Sequence, residues 1–126
     1  MDMTENLLTR IAAALERLAP PAPAPADLEA HAAYRWDGNT ISPIEAFAPV
    51  DYALLTGIDA QKQACLENTR RLAMGYPAHD ILLWGARGTG KSATVAACVG
   101  QIRKEGLPLA MIEIATDDLR SLATLF

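Results

Sequence analysis

Residues 81–92 read Ile81-Leu82-Leu83-Trp84-Gly85-Ala86-Arg87-Gly88-Thr89-Gly90-Lys91-Ser92, and the last eight complete a phosphate-binding loop of the form GxxxxGK[ST]. The chemistry needs these residue types in this order. Gly85, Gly88 and Gly90 let the backbone curl, so that successive N–H groups, including those of Ala86, Arg87 and Thr89, converge on an anion. Lys91 is placed to reach the β- and γ-phosphates of a nucleotide, and the Ser92 hydroxyl to ligate Mg²⁺. The loop then opens a helix, whose positive end adds favourable field at the phosphates.

Such a loop needs a buried strand before it and a helix after it. The run Ile81-Leu82-Leu83-Trp84 predicts a central parallel strand. Residues 92–105 predict the helix, with Val95, Val99 and Ile102 on one stripe, Gly106 past its end and Pro108 closing the helical option. A second apolar strand follows at residues 109–114. The alternating order of strand and helix makes the fold class α/β. A glycine-rich turn that merely precedes a lysine is the competing reading, and both flanking elements weigh against it.

Working outward, residues 1–19 predict an amphipathic N-terminal helix over 4–18, with Leu8, Ile11, Leu15 and Leu18 forming a seam and Asp2 with Glu5 as a capping pair. That seam is only about two heptads long, marginal alone in water, and is expected to pack on the body or on another copy. Residues 20–27 contain Pro20-Pro21-Ala22-Pro23-Ala24-Pro25, a semi-rigid extended spacer. It lacks the flanking arginines of a ligand for a proline-binding module.

The third unit is 28–126. Within it residues 28–34 predict a helix, and Arg35-Trp36-Asp37-Gly38-Asn39 a turn pivoting on Asp-Gly. Trp36 reads as a core anchor and His31 as a surface or packing residue rather than a metal ligand. Residues 59–73 predict a helix stopped at Gly75.

The chain has 126 residues, is 51% hydrophobic and carries a formal net charge of −4. It is therefore globular, and direct nucleic-acid binding is not expected. No apolar run approaches bilayer-spanning length, and the N-terminus lacks a secretory pattern, so a cytoplasmic location and no membrane partner are expected. Cys65 and Cys98, its two cysteines, fall in predicted helices and read as buried free thiols.

The order Leu54-Leu55-Thr56-Gly57-Ile58-Asp59, helix, Gly75-Tyr76-Pro77-Ala78, apolar strand and phosphate loop resembles the front end of an AAA-type ATPase. Tyr34-Arg35-Trp36, the run from Gly57 to Lys62, Asn68-Thr69, the run from His79 to Ser92 and the run from Ile112 to Leu119 are similar to an uncharacterised bacterial family of AAA-type ATP-binding proteins with a domain-of-unknown-function label. The similarity covers roughly 28–120. It implies a P-loop NTPase three-layer sandwich with a parallel sheet, and ATP or ADP with Mg²⁺ as ligands. Gly57 and Ile58 map onto the family's adenine pocket, against the simpler reading of a helix-start turn.

The same resemblance implies an acidic pair after an apolar strand, to hold Mg²⁺ and activate water. Asp117 and Asp118 follow residues 109–114. In the resembled sheet that strand lies at an edge, so Thr116 or Asp117 reads as the cap of a helix starting at Leu119. Two strands that would separate it from the phosphate-loop strand come later in such folds. The chain is thus expected to be the N-terminal part of a longer ATPase, with an incomplete sheet, negligible hydrolysis of its own and a tendency to self-associate. Two other classes stay open. A small-molecule or nucleotide kinase shares the loop but usually begins near it, and a non-catalytic interaction protein would use the Leu8–Leu18 seam.

Overall fold

Asp37 organises the first hairpin. Its Oδ1 accepts the backbone N–H groups of Asn39 (2.9 Å) and Thr40 (2.8 Å), and its Oδ2 accepts the Thr40 hydroxyl. These donors, Thr40 first, hold the Asp37 carboxyl below the usual carboxylate range. Gly38 takes φ +95°, which an L side chain rarely adopts. The turn joins strands β1 (Ala33–Trp36) and β2 (Ile41–Pro43), which pair antiparallel with Trp36 opposite Ile41. The computed structural model describes residues 2–20, 26–86, 88 and 90–125.

Strand β3 (Met111–Ile114) pairs parallel with β1, with Tyr34 opposite Ile112 and Arg35 opposite Glu113, giving the order β2-β1-β3. Side chains of Arg35 and Glu113 meet across the pair at 3.0 Å. The sheet is mixed where a parallel one is expected; the expected helix at 28–34 gives way to β1, and the turn keeps its Asp37-Gly38 pivot but starts after Trp36 rather than at Arg35. Alanines at 30, 32 and 33 favour a helix locally, but Tyr34 and Trp36 share one face of β1 and are buried, whereas Arg35 on the other face is exposed; Ala33, on the Arg35 face, is buried as well. The alternation of period two belongs to a strand. Trp36 is the anchor expected of it, and its Nε1–H donates to Ser121 Oγ at 2.7 Å.

Residues 81–84 are not a strand. Ile81, Leu82 and Trp84 are 45%, 85% and 87% exposed. An apolar run becomes a central strand only where neighbours on both sides accept its backbone groups, and among the described residues the three strands pair with one another instead.

Helices α2 (Asp59–Ala73) and α3 (Lys91–Lys104) lie where periodicity places them and pack together. Their shared core is Cys65, Leu66, Cys98 and Ile102, with Tyr52, Ala73, Leu107 and Leu109 partly buried around it. Both cysteines are free and buried. Arg70 clamps Glu105 through two hydrogen bonds of 2.9 and 2.7 Å, tying the far ends of the helices together. Gly100, in the middle of α3, admits the Pro49 ring, because a Cβ there would stand 2.8 Å from Pro49 Cγ.

Helix α1 (Met3–Leu18) forms as its seam predicts, yet buries none of its residues, and Leu18 is 84% exposed. The Asp2 side chain makes no capping bond, correcting the expected Asp2–Glu5 pair; the Asp2 carbonyl accepts the Asn6 N–H instead. After β3, residues Thr116–Ser121 form a 3-10 turn that runs into α4 (Leu122–Leu125). The residue at its N-cap is Ala115, with no side-chain bond, so neither Thr116 nor Asp117 is the cap. The tighter 3-10 winding starts the turn before the expected Leu119.

Candidate functional site

The described glycines of the loop after residue 84 all take positive φ. Gly88 and Gly90 have φ of +80° and +83°, and neither would meet any atom with an added Cβ. The demand at these positions is therefore conformational. Gly90 is the N-cap of α3, and its carbonyl accepts both the N–H (2.9 Å) and the hydroxyl (2.8 Å) of buried Thr94. Lys91 and Ser92 are the first two residues of the helix, Ser92 exposed. Lys91 Nζ donates to the carbonyls of Gly85 and Ala86 at 2.8 Å each, folding the ammonium over the start of the loop. The expected contacts Arg87 and Thr89 lie outside the described residues.

The segment leading in is fastened to α2 by polar clamps. Asn68 donates Nδ2–H to the His79 carbonyl (2.7 Å) and accepts the His79 N–H on Oδ1 (2.8 Å). Arg71 Nε donates to the Pro77 carbonyl at 3.0 Å. At the other end of α2, Lys62 Nζ donates to the carbonyls of Leu55 (2.7 Å) and Tyr52 (3.3 Å), stands 4.6 Å from the Tyr52 ring centre and pairs with Asp59 at 3.7 Å. Those bonds fix the approach to Gly57 and Ile58. Gly57 turns with φ +80° and hands Ile58 to the start of the helix.

A cavity of about 190 Å³ results, lined by Ile58, Gln61, Leu83, Trp84, Lys91 and Thr94. Two segments that are 33 residues apart in the chain, at Ile58 and at Lys91, meet there. Gly57 shapes the turn but does not line the space. Sites for whole drug-sized ligands hold about 300–1,000 Å³. This one has room for a flat ring beside the loop rather than for a complete nucleotide. Gln61, Leu83, Trp84 and Thr94 were not among the expected contacts. Gln61 lies three residues beyond Ile58, and Thr94 three beyond Lys91, so helical spacing is the signal that finds them.

Asp117 and Asp118 are elsewhere. Asp118 borders a separate cavity of about 260 Å³ with Arg35, Trp36, Asp37 and Glu113, at the end of the sheet. Its carbonyl accepts the Ser121 hydroxyl at 2.6 Å. Among the described residues no group of three or more His, Cys, Asp or Glu side chains is placed to hold a metal, and none of their helices is long and apolar enough to cross a membrane.

Residues 29–126 match a protein family described as "Protein of unknown function (DUF815)". The chain belongs to this family. The match takes in the sheet, helices α2 and α3 and the loop between them, and leaves out α1. No curated protein matches the chain. No solved structure matches it either.

Proposed function

We propose that this chain binds ATP or ADP with Mg²⁺ through residues 85–92, as the N-terminal part of an AAA-type P-loop ATPase domain. The observation that carries the reading is the cavity joining Ile58 to Lys91. A phosphate loop followed by a helix is the anion half of a nucleotide site, and an apolar slot beside it with one amide, Gln61, is the base half. The residues fit the ligand. Gly88 and Gly90 hold positive φ, a conformation that anion-cradling loops use, and Lys91 has its ammonium over the start of the loop.

In this reading the backbone of residues 85–90 binds the phosphates and Lys91 exchanges its two carbonyl partners for the β- and γ-oxygens. Ser92 Oγ holds the ion, and Ile58, Leu83 and Trp84 exclude water from the base. Mg²⁺, when bound, neutralises charge on the phosphates. Hydrolysis by this chain alone is negligible, because Asp118 borders a different cavity, Asp117 does not line the one beside Lys91, and a water-positioning carboxylate is what the step requires.

Calorimetry with Mg-ATP on folded protein tests the binding. Lys91→Ala removes a charge-assisted contact and weakens binding by about 1.5–3 kcal/mol. Absence of heat with the unaltered, folded chain sinks the proposal. A phosphate-release assay tests the second half, where turnover abolished by Lys91→Ala would restore Asp117 and Asp118 as catalytic candidates.

A further inference from the structure

We propose that α1 is a self-recognition element, which pairs in parallel with α1 of a second copy of this chain, the acidic edge of one helix against the basic edge of the other. The helix buries none of its residues, and Leu7, Leu8, Ile11, Leu15 and Leu18 are all exposed. A helix of 16 residues with an uncovered apolar face is marginal in water by itself. The surface lies outside the family match at 29–126 and is independent of the nucleotide reading.

Two rows of charge run along α1, one on each side of the apolar face. At about 100° per residue, Glu5 and Glu16 fall about three turns apart on the side of Leu8 and Leu15. Arg10 and Arg17 fall about two turns apart on the opposite side, next to Leu7 and Ala14. In a parallel pair each edge meets the opposite edge of its neighbour, whereas in an antiparallel pair it meets its own kind. Parallel pairing therefore sets the glutamates against the arginines, and antiparallel pairing sets like charge against like.

The basic side is also shaped for a neighbour. A groove of about 640 Å³ runs along it, lined by Leu7, Arg10, Ile11, Ala13, Ala14 and Arg17. Leu7, Arg10, Ile11 and Ala14 are spaced as one four-residue hole of the kind that a side chain from a facing helix fills, and Arg10, Ala13, Ala14 and Arg17 are spaced as the next. A lipid surface is the weaker occupant. Helices that lie on bilayers carry a lysine- and arginine-rich polar face, and here Glu5 and Glu16 offset Arg10 and Arg17.

Sedimentation velocity and disulfide trapping on the full chain test the pairing. The parent is expected to run as an assembly of two or more copies. Ile11→Asp returns it to a monomer with an unchanged melting temperature, because Ile11 is exposed and supports no core. Arg10→Glu with Arg17→Glu makes both edges acidic and weakens association roughly tenfold. Mixing that variant with Glu5→Arg/Glu16→Arg, whose edges are both basic, restores it. Asp2→Cys and Ala19→Cys, at opposite ends of α1, report the direction. Each cross-links to itself under mild oxidation, and a mixture gives same-end links in excess over opposite-end ones. A monomeric parent, association that survives Ile11→Asp, charge reversal without effect, or links chiefly between opposite ends overturns the proposal. Binding to phosphatidylglycerol vesicles that Ile11→Asp abolishes, without self-association, gives the face to a lipid surface and overturns it equally.

Discussion

Lys91 closes back on the Gly85 and Ala86 carbonyls, so the loop carries its own internal strut. The aromatic wall of the adjoining cavity is supplied by Trp84, which is 87% exposed. So much exposed indole contributes little to stability and is free to stack on a ligand ring. Trp84→Ala is expected to leave the melting temperature unchanged and to weaken nucleotide binding by about 1–3 kcal/mol, the range for a lost stacking contact. Calorimetry beside a melt checks both, and unaltered affinity would remove Trp84 from the site. At this scale much was legible. A motif whose fixed positions each have a conformational or charge requirement names Gly85, Gly90, Lys91 and Ser92 directly. Ile58 could be reached through resemblance, while Gln61 and Thr94 emerge only when helical spacing is applied from residues already in the site. Trp84 was legible as apolar but assigned to a buried strand, because a short apolar run does not declare whether neighbours exist to cover it.

Helices α2 and α3 and strand β3 were the legible elements, the last as the apolar run 109–114, whereas β1 and β2 were not. Residues 59–73 and 92–105 carry their own periods and stops, Gly75 and Gly106, each at φ above +80° or equal to it. By contrast β1 depends on β3, which is far away in sequence, and nothing within residues 28–36 announces that partner. Gly100 is a similar case. Inside a helix it reads as a liability of roughly 1 kcal/mol, and only the Pro49 ring against it supplies the reason. The clamp between Arg70 and Glu105 gives the helix pair a pH signature. Arg70 beside it holds the Glu105 carboxyl below its usual range. A depressed carboxylate contributes stability that is present above its unfolded pKa, about 4.3, and lost as pH falls through its folded value. Arg70→Gln is expected to lower the melting temperature at pH 7 and to leave a shallower loss between pH 5 and 3 than the parent chain shows. Parallel acid limbs for the two proteins would mean that the clamp does not contribute.

For the whole molecule, the balance of covered and uncovered apolar surface decides its behaviour. Leu8, Ile11, Leu15 and Leu18 on α1 are 61%, 54%, 59% and 84% exposed, and Leu82 and Trp84 are more than four-fifths exposed. Exposed apolar surface on that scale favours contact between chains. The isolated chain is expected to self-associate or melt broadly, and charged substitutions at Leu8 and Leu15 to shift light scattering toward the monomer. A monodisperse parent with a sharp melt would show that these faces are tolerated in water. The mixed α/β class was readable from the sequence. The antiparallel partner β2 was not, since Asp37-Gly38-Asn39-Thr40 signals a turn without stating what lies on either side.

The grip of Asn68 on His79 has a consequence in the time domain. Its Oδ1 holds the His79 amide proton at a donor–acceptor distance of 2.8 Å, in a segment where residues 77–84 make no ladder. Amide exchange with deuterated solvent runs fast where backbone bonds are absent and slowly where a bond must open first. His79 should therefore be a single slow proton set among fast ones. Asn68→Ala should bring it level with its neighbours, and if its exchange is unchanged by that substitution, the side chain does not guard it.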